Sequence, residues 1–207
     1  MNILIVGATG GLGRDVVAES LARGHQTAAV VREPSRAALP QAVQIAQGDV
    51  LDRSSLRSAV AGRDAVICAL GTPSPRRPST LLARGSENLV EAMTAAGVRR
   101  LVCVTLLGLG PSRSNCSLFY RGVILRVLAP MVPDKQAQEQ VVRSSDLDWV
   151  LIRPPRFARG RPRGTVKVIR EGQPGRLGHV VRADLARFVV GCATEGGYVR
   201  EALAVGS

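Results

Sequence analysis

The chain has 207 residues, 45% hydrophobic and 21% charged, a composition that suits one folded domain spanning 1–207 and excludes a disordered chain. The 28 basic and 16 acidic residues give a formal charge of +12, which favours anionic partners, but aromatics at 3% are too few for the stacking platforms of RNA and single-strand readers. Nucleic acid is therefore not expected as a partner.

No apolar run reaches the ~20 residues that span a bilayer, and no basic, apolar and small-residue leader opens the chain. The expectation is a cytoplasmic protein with no membrane partner, a monomer or weak homodimer. Cys68, Cys103, Cys116 and Cys192 are scattered without a CxxC pair, and two histidines add little, so buried free thiols are expected and a metal site is not.

In chain order, β-branched runs alternate with helical patterns, the signature of βαβ units and a parallel sheet. Strands are predicted at Asn2–Val6, Gln26–Val31, Val43–Gln47, Ala65–Ala69 and Leu101–Thr105. A helix is predicted from Gly11 to Arg23, a second follows Asp52 as N-cap, and a third runs from Ser79 to Ala96 and stops at Gly97. Leu106–Pro133, rich in glycine, serine and proline, reads as the loosest segment. Beyond it the pattern predicts a helix at Gln136–Ser144, a strand at Trp149–Arg153, another at Gly164–Ile169, a helix at Ala183–Ala193 and a closing strand at Ala202–Val205. The fold class is α/β: a Rossmann-like, doubly wound parallel sheet with helices on both faces.

The turn after the first strand carries the chemistry. Gly7 permits a tight exit from the strand, Gly10 lets backbone approach a phosphate, and Gly13 lets helix pack closely on sheet, while Ala8, Thr9, Gly11 and Leu12 supply the backbone between them. The helix that opens here offers free N–H groups to a pyrophosphate. At the end of strand two, where an acid would read a free ribose 2′-hydroxyl, stands Arg32, followed by Ser35 and Arg36; two guanidinium groups and a hydroxyl suit a 2′-phosphate. Glu33 is the competing reader. The pairing favours NADPH over NADH.

Asp49 either accepts from an adenine amino group or orders a turn, with Val50 covering the ring. Ala69, Leu70, Gly71 and Thr72 end strand four at the carboxyl edge of the sheet, where ligands lie in open α/β folds. His25 and His179 read as structural.

The motifs GATGGLG, VREPSR, GDVLD, CALGT, RRLVCVT, the DKxxxE spacing and LDWVLIRPP together resemble the atypical short-chain dehydrogenases, most closely the group containing flavin reductase/biliverdin-IXβ reductase, with NmrA-like proteins more distant. The resemblance covers nearly the whole chain. It implies NADPH lying across the strand ends, its nicotinamide facing a shallow substrate site formed by residues 70–72, 105–107 and 154–156. Thr105 would bond substrate or nicotinamide amide, Lys135 would contact the cofactor ribose, Pro154 would flank the cofactor, and Leu106, Leu107, Pro155 and Arg156 would meet substrate. Thr105 and Lys135 have plainer alternatives, a strand end and a solvated helix.

Two departures bear on the chemistry. The Tyr-x-x-x-Lys pair of ordinary short-chain dehydrogenases is absent, since Tyr120 is followed four places on by Ile124; and Arg156 stands where the resemblance implies histidine. Arg153, Arg156, Arg159, Arg161 and Arg163 surround Phe157, so this stretch either receives a planar anionic substrate or forms a solvated basic loop. The reading is an NADPH-dependent reductase of a flavin, quinone-like or tetrapyrrole-like acceptor. Its rival is a non-catalytic NADP(H)-binding redox sensor acting on a protein partner.

Overall fold

A computed structural model describes residues 1–207 apart from Pro73, Pro75, Arg76 and Arg159. Eight strands form one sheet in the order β3-β2-β1-β4-β5-β6-β10-β8. In chain order these are β1 (Asn2–Val6), β2 (Gln26–Val31), β3 (Gln44–Gln47), β4 (Ala65–Cys68), β5 (Arg100–Val104), β6 (Asp148–Arg153), β8 (Lys167–Arg170) and β10 (Glu201–Gly206). All neighbours pair parallel except β8, which runs antiparallel to β10.

Strand alternation assigns the two faces. Ile3, Ile5, Ala29, Val102, Val104 and Ile152 point to one side, where Val16 and Val17 of α1 (Gly11–Ala22) and Leu185, Val189 and Val190 of α6 (Arg182–Thr194) cover them. Leu4, Val6, Val66, Leu101 and Leu151 point to the other, against Leu56 of α2 (Arg53–Val60), Leu89 and Met93 of α3 (Leu81–Ala96) and Val142 of α5 (Val132–Arg143). With both faces covered, the central strands are almost continuously apolar, as parallel sheets require. The sheet order reverses between β1 and β4, and that switch point opens a crevice at the carboxyl ends of the strands.

Several sequence-based boundaries shift for local reasons. Strand four ends at Cys68 and helix three starts at Leu81, where the carboxylate of Asp134 accepts from the N–H groups of Leu82 (3.1 Å) and Ala83 (2.9 Å). This cap comes from another helix, so no local motif announces it. Helix α5 begins at Val132, four residues before its predicted start, because Pro133 in a first turn forfeits no bond.

The segment expected to be loosest is instead a chain of short helical turns: Gly110–Asn115, Tyr120–Ile124, α4 (Leu125–Val127) and Ala129–Met131. Tyr120 anchors it in a small third core with Leu107, Cys116 and Leu177. The strand predicted at Gly164–Ile169 lies at Lys167–Arg170. Two strands went unpredicted, β7 (Arg156–Ala158) and β9 (His179–Val181), which pair parallel as a separate ribbon and are too short for alternation to show. Arg159 of the basic stretch lies outside the described residues.

Candidate functional site

A cavity of about 620 Å³ follows the carboxyl edge of the sheet from Arg32 at the end of β2, over the glycine turn, to Pro155 and Phe157 beyond β6. Its shape begins with Gly7, which sits at φ +87°, and a Cβ there would lie 2.6 Å from the Ala69 carbonyl oxygen. A Cβ on Gly13 would collide with the Gly7 carbonyl, so turn and helix approach as only glycine allows. Gly10 N–H donates to Gly7 O at 3.1 Å, and Arg14 Nε donates to Thr9 O at 3.1 Å, fixing the loop. No side chain caps α1, and Gly11 and Leu12 of its first turn line the cavity beside Gly10. Backbone donors, absent side chains and room above them fit a pyrophosphate.

At the β2 end, Arg32 lines the cavity and has no carboxylate partner among the described residues. Arg36 pairs with Glu33 at 2.9 Å, both exposed. Gly48, Asp49 and Val50 form the wall beside it. Asp49 Oδ1 accepts from Leu51 N–H at 2.9 Å, so its side chain orders a turn, and Asp52 caps α2 by accepting from Ser54 N–H at 3.0 Å. The two hydrogen bonds from Ser54 hold the Asp52 carboxyl below the usual carboxylate range.

At the far end, Lys135 from the first turn of α5 is 3% exposed, which removes the solvated-helix alternative. Its Nζ donates to Leu70 O (3.2 Å), Val104 O (3.2 Å) and Gln138 Oε1 (2.9 Å), tying the ends of β4 and β5 together beneath the cavity. Burial pushes its pKa down from the ordinary lysine value. Beside it Thr105 Oγ1 donates to Glu139 Oε1 at 2.6 Å, and Glu139 receives a two-pronged contact from Arg153 at 2.9 and 2.5 Å. Arg153 also meets Glu171 at 2.8 Å. Burial alone would lower the Arg153 pKa, but the two carboxylates raise it above the ordinary value.

The model of the NAD(P)H-binding family matches residues 7–196, from the glycine turn to the end of the last helix. The chain belongs to the NAD(P)H-binding family. It is 38% identical over 117 residues to the 3-diazoavenalumate denitrifying reductase of a Streptomyces species, covering 51% of this chain and 38% of that protein. It is 29% identical over 212 residues to the (4-alkanoyl-5-oxo-2,5-dihydrofuran-3-yl)methyl phosphate reductase of Streptomyces griseus, covering 98% of this chain and 67% of that protein. The chain thus spans well under half the length of the first relative. Among solved structures, an anaerobilin reductase from Escherichia coli O157:H7 superposes with a TM-score of 0.78 at 23% identity, covering 100% of this chain and 97% of that one, a likeness of fold.

As a family member, the chain brings most of its sequence-predicted positions to one cavity: Gly7, Thr9, Gly10, Gly11, Leu12, Arg32, Asp49, Val50, residues 69–72, Thr105, Leu106, Lys135, Pro154 and Pro155 all line it. Ala8 packs into the core and Gly13 supports the turn from behind. Ser35 and Arg36 sit on an exposed turn outside the lining. Leu107, expected at the substrate, is instead fully buried in the third core against Cys116, Tyr120 and Leu177. Arg156 is exposed on β7 and faces away, while its neighbour Phe157 lines the cavity, again by strand alternation. Arg153 belongs to the buried network and is not available to an anionic substrate.

Several contributors escaped the sequence reading. Leu81, Leu128 and Met131 complete the apolar wall, and no local motif marks residues brought in by packing. Arg182, at the start of α6, extends its guanidinium over Gly11, the atom a Cβ there would strike first, and reaches Asp15 at 3.4 Å. This cation stands over the helix N-terminus. Its only sequence signal is an arginine heading a helix.

Proposed function

We propose that the chain is an NADPH-dependent reductase that delivers hydride to a planar ring, of the flavin, quinone-like or tetrapyrrole-like class. The observation that carries the reading is one continuous cavity whose ends differ in chemistry: a free arginine and helix N–H groups at one, and Leu106, Leu128, Met131, Pro154, Pro155 and Phe157 over a buried lysine at the other. The first end suits a phosphorylated adenosine and the second a flat apolar ring. Bound there, the cofactor would supply the hydride. The glycine turn and Arg182 would hold its diphosphate, Arg32 its 2′-phosphate, and the apolar wall would exclude water from the reacting rings. With Glu33 held by Arg36, Arg32 is left to read the ribose.

No tyrosine lines the cavity among the described residues; Tyr120 is buried in the third core, its hydroxyl unpartnered, and desolvation raises its pKa far above the ordinary value. The proton for the reduced ring therefore comes from water or from the acceptor's own groups. The test is NADPH oxidation against a panel of FMN, riboflavin, quinones and biliverdins, with Arg32→Ala as the cofactor control. Arg32→Ala should weaken NADPH roughly 10- to 100-fold, as loss of a charge-assisted contact predicts, and NADH hardly at all. Equal weakening refutes the 2′-phosphate assignment, and silence across the panel refutes the reductase.

One observation favours a second reading, a non-catalytic NADP(H)-responsive sensor: Thr105 and Lys135 already have protein partners. A sensor would be stabilised to different extents by NADP⁺ and NADPH while oxidising nothing in the panel. Four free, buried cysteines support a reducing, cytoplasmic setting for either.

A further inference from the structure

The helical run that leads into Leu128 and Met131 of the cavity wall is apolar on both sides. Its inner side packs Tyr120, Ile124 and Leu125 into the third core, as any surface helix must. Its outer side presents Leu118, Phe119, Val123 and Val127, between 46% and 73% exposed. The last three recur every fourth residue, so they share one outward face of the run and form a stripe rather than scattered single residues. Water is a poor neighbour for such a stripe.

The charges within this stretch are all of one sign. No acidic residue occurs between Glu91 and Asp134, and this stretch carries Arg113, Arg121 and Arg126, all exposed and none in an ion pair among the described residues. A second copy of the chain is a poor occupant: a two-fold contact would set Arg121 and Arg126 against themselves, on molecules already carrying +12. An apolar stripe on an arginine-bearing run without acids is the pattern of a helix lying in the interface of an anionic lipid surface, the side chains among the acyl chains and the guanidinium groups reaching headgroup phosphates. From the structure we infer that residues 118–127 dock this protein reversibly on an anionic membrane surface. It requires no spanning helix, and none is present among the described residues. The same run continues into Leu128 and Met131 of the cavity wall, so the docking segment is joined directly to the cavity.

The test is co-sedimentation of the 207-residue chain with vesicles of phosphatidylcholine, alone or mixed with phosphatidylglycerol. Binding is expected only to the mixed vesicles and is expected to fall with added salt. Arg121→Gln/Arg126→Gln should lower partitioning about 25-fold, at roughly fivefold per arginine. Phe119→Ser/Val123→Ser/Val127→Ser should abolish it while leaving NADPH affinity and the thermal midpoint unchanged, which shows that the fold is intact. A control pair on other faces, Arg57→Gln/Arg187→Gln, should cost far less. The inference is overturned by no binding to mixed vesicles, by equal loss in the control pair, or by a dimer in light scattering that the triple serine variant dissolves. None of these readouts depends on reductase activity, so the two proposals fail separately.

Discussion

Replacing Arg153 with methionine leaves Glu139, only 5% exposed, with the Thr105 hydroxyl as its remaining partner. Three arginine contacts vanish, two to Glu139 and one to Glu171, and the last costs less because Glu171 keeps Arg143 at 2.8 Å. Removing one partner of a buried pair costs about 3–5 kcal/mol, most of it the stranded charge. At roughly 2.1 cal/mol/K per residue the unfolding entropy of a chain this size is about 0.4 kcal/mol/K, so the midpoint should fall roughly 7–12 °C. The double variant Arg153→Met/Glu139→Leu removes both charges and should recover more than half of that loss, since an apolar replacement of a buried pair is often neutral. Differential scanning calorimetry of both variants measures it. A single-variant shift under about 2 °C, or a double variant no better than the single, would refute the reasoning that the charge rather than the packing governs this site.

Asp134→Ala frees the Leu82 and Ala83 N–H groups and should cost about 1–2 kcal/mol in urea denaturation, although the substitution lies outside the helix it destabilises. Gly7→Ala forces a Cβ against the Ala69 carbonyl at positive φ and should abolish NADPH binding in a fluorescence titration; retained affinity would sink the assignment of the turn. Burial holds the Lys135 pKa below that of the unfolded chain, so the unfolded state binds more protons between the two values and stability at this site rises with pH there. Lys135→Met should flatten that rise, measured as urea midpoints across an alkaline pH series. Arg182→Ala should weaken NADPH and NADH alike, in contrast to Arg32→Ala, because a diphosphate is common to both.

The end of the cavity at the glycine turn and β2 was legible in the sequence because its determinants are local. The Gly7 to Gly13 spacing, the strand before it and the arginine after β2 lie within short windows, and the chain places them together by the ordinary βαβ path. The apolar end was not legible, for the opposite reason. Leu81 reaches the cavity from α3, and Leu128 and Met131 from the turns before α5, while Leu107 packs into the third core and Arg156 points out on β7. Lys135 was singled out in the DKxxxE spacing, but its burial depends on α5 beginning before Pro133, which the proline disguised. Arg153 read as one of five loop arginines; its carboxylate partners stand 14 and 18 residues away, beyond any local pattern.

The three acceptors of Lys135 have an electrical consequence. Carbonyl oxygens at the ends of two parallel strands are usually finished by water, which would screen any charge nearby. Here an ammonium group finishes them, at a place where little solvent reaches. While protonated, it places a positive charge beneath the apolar end of the cavity, where the proposed acceptor ring would gain electrons, and Glu139 and Asp134 offset part of its field. An acceptor that becomes more negative as it is reduced is drawn toward that charge, and one that starts as a cation is repelled by it.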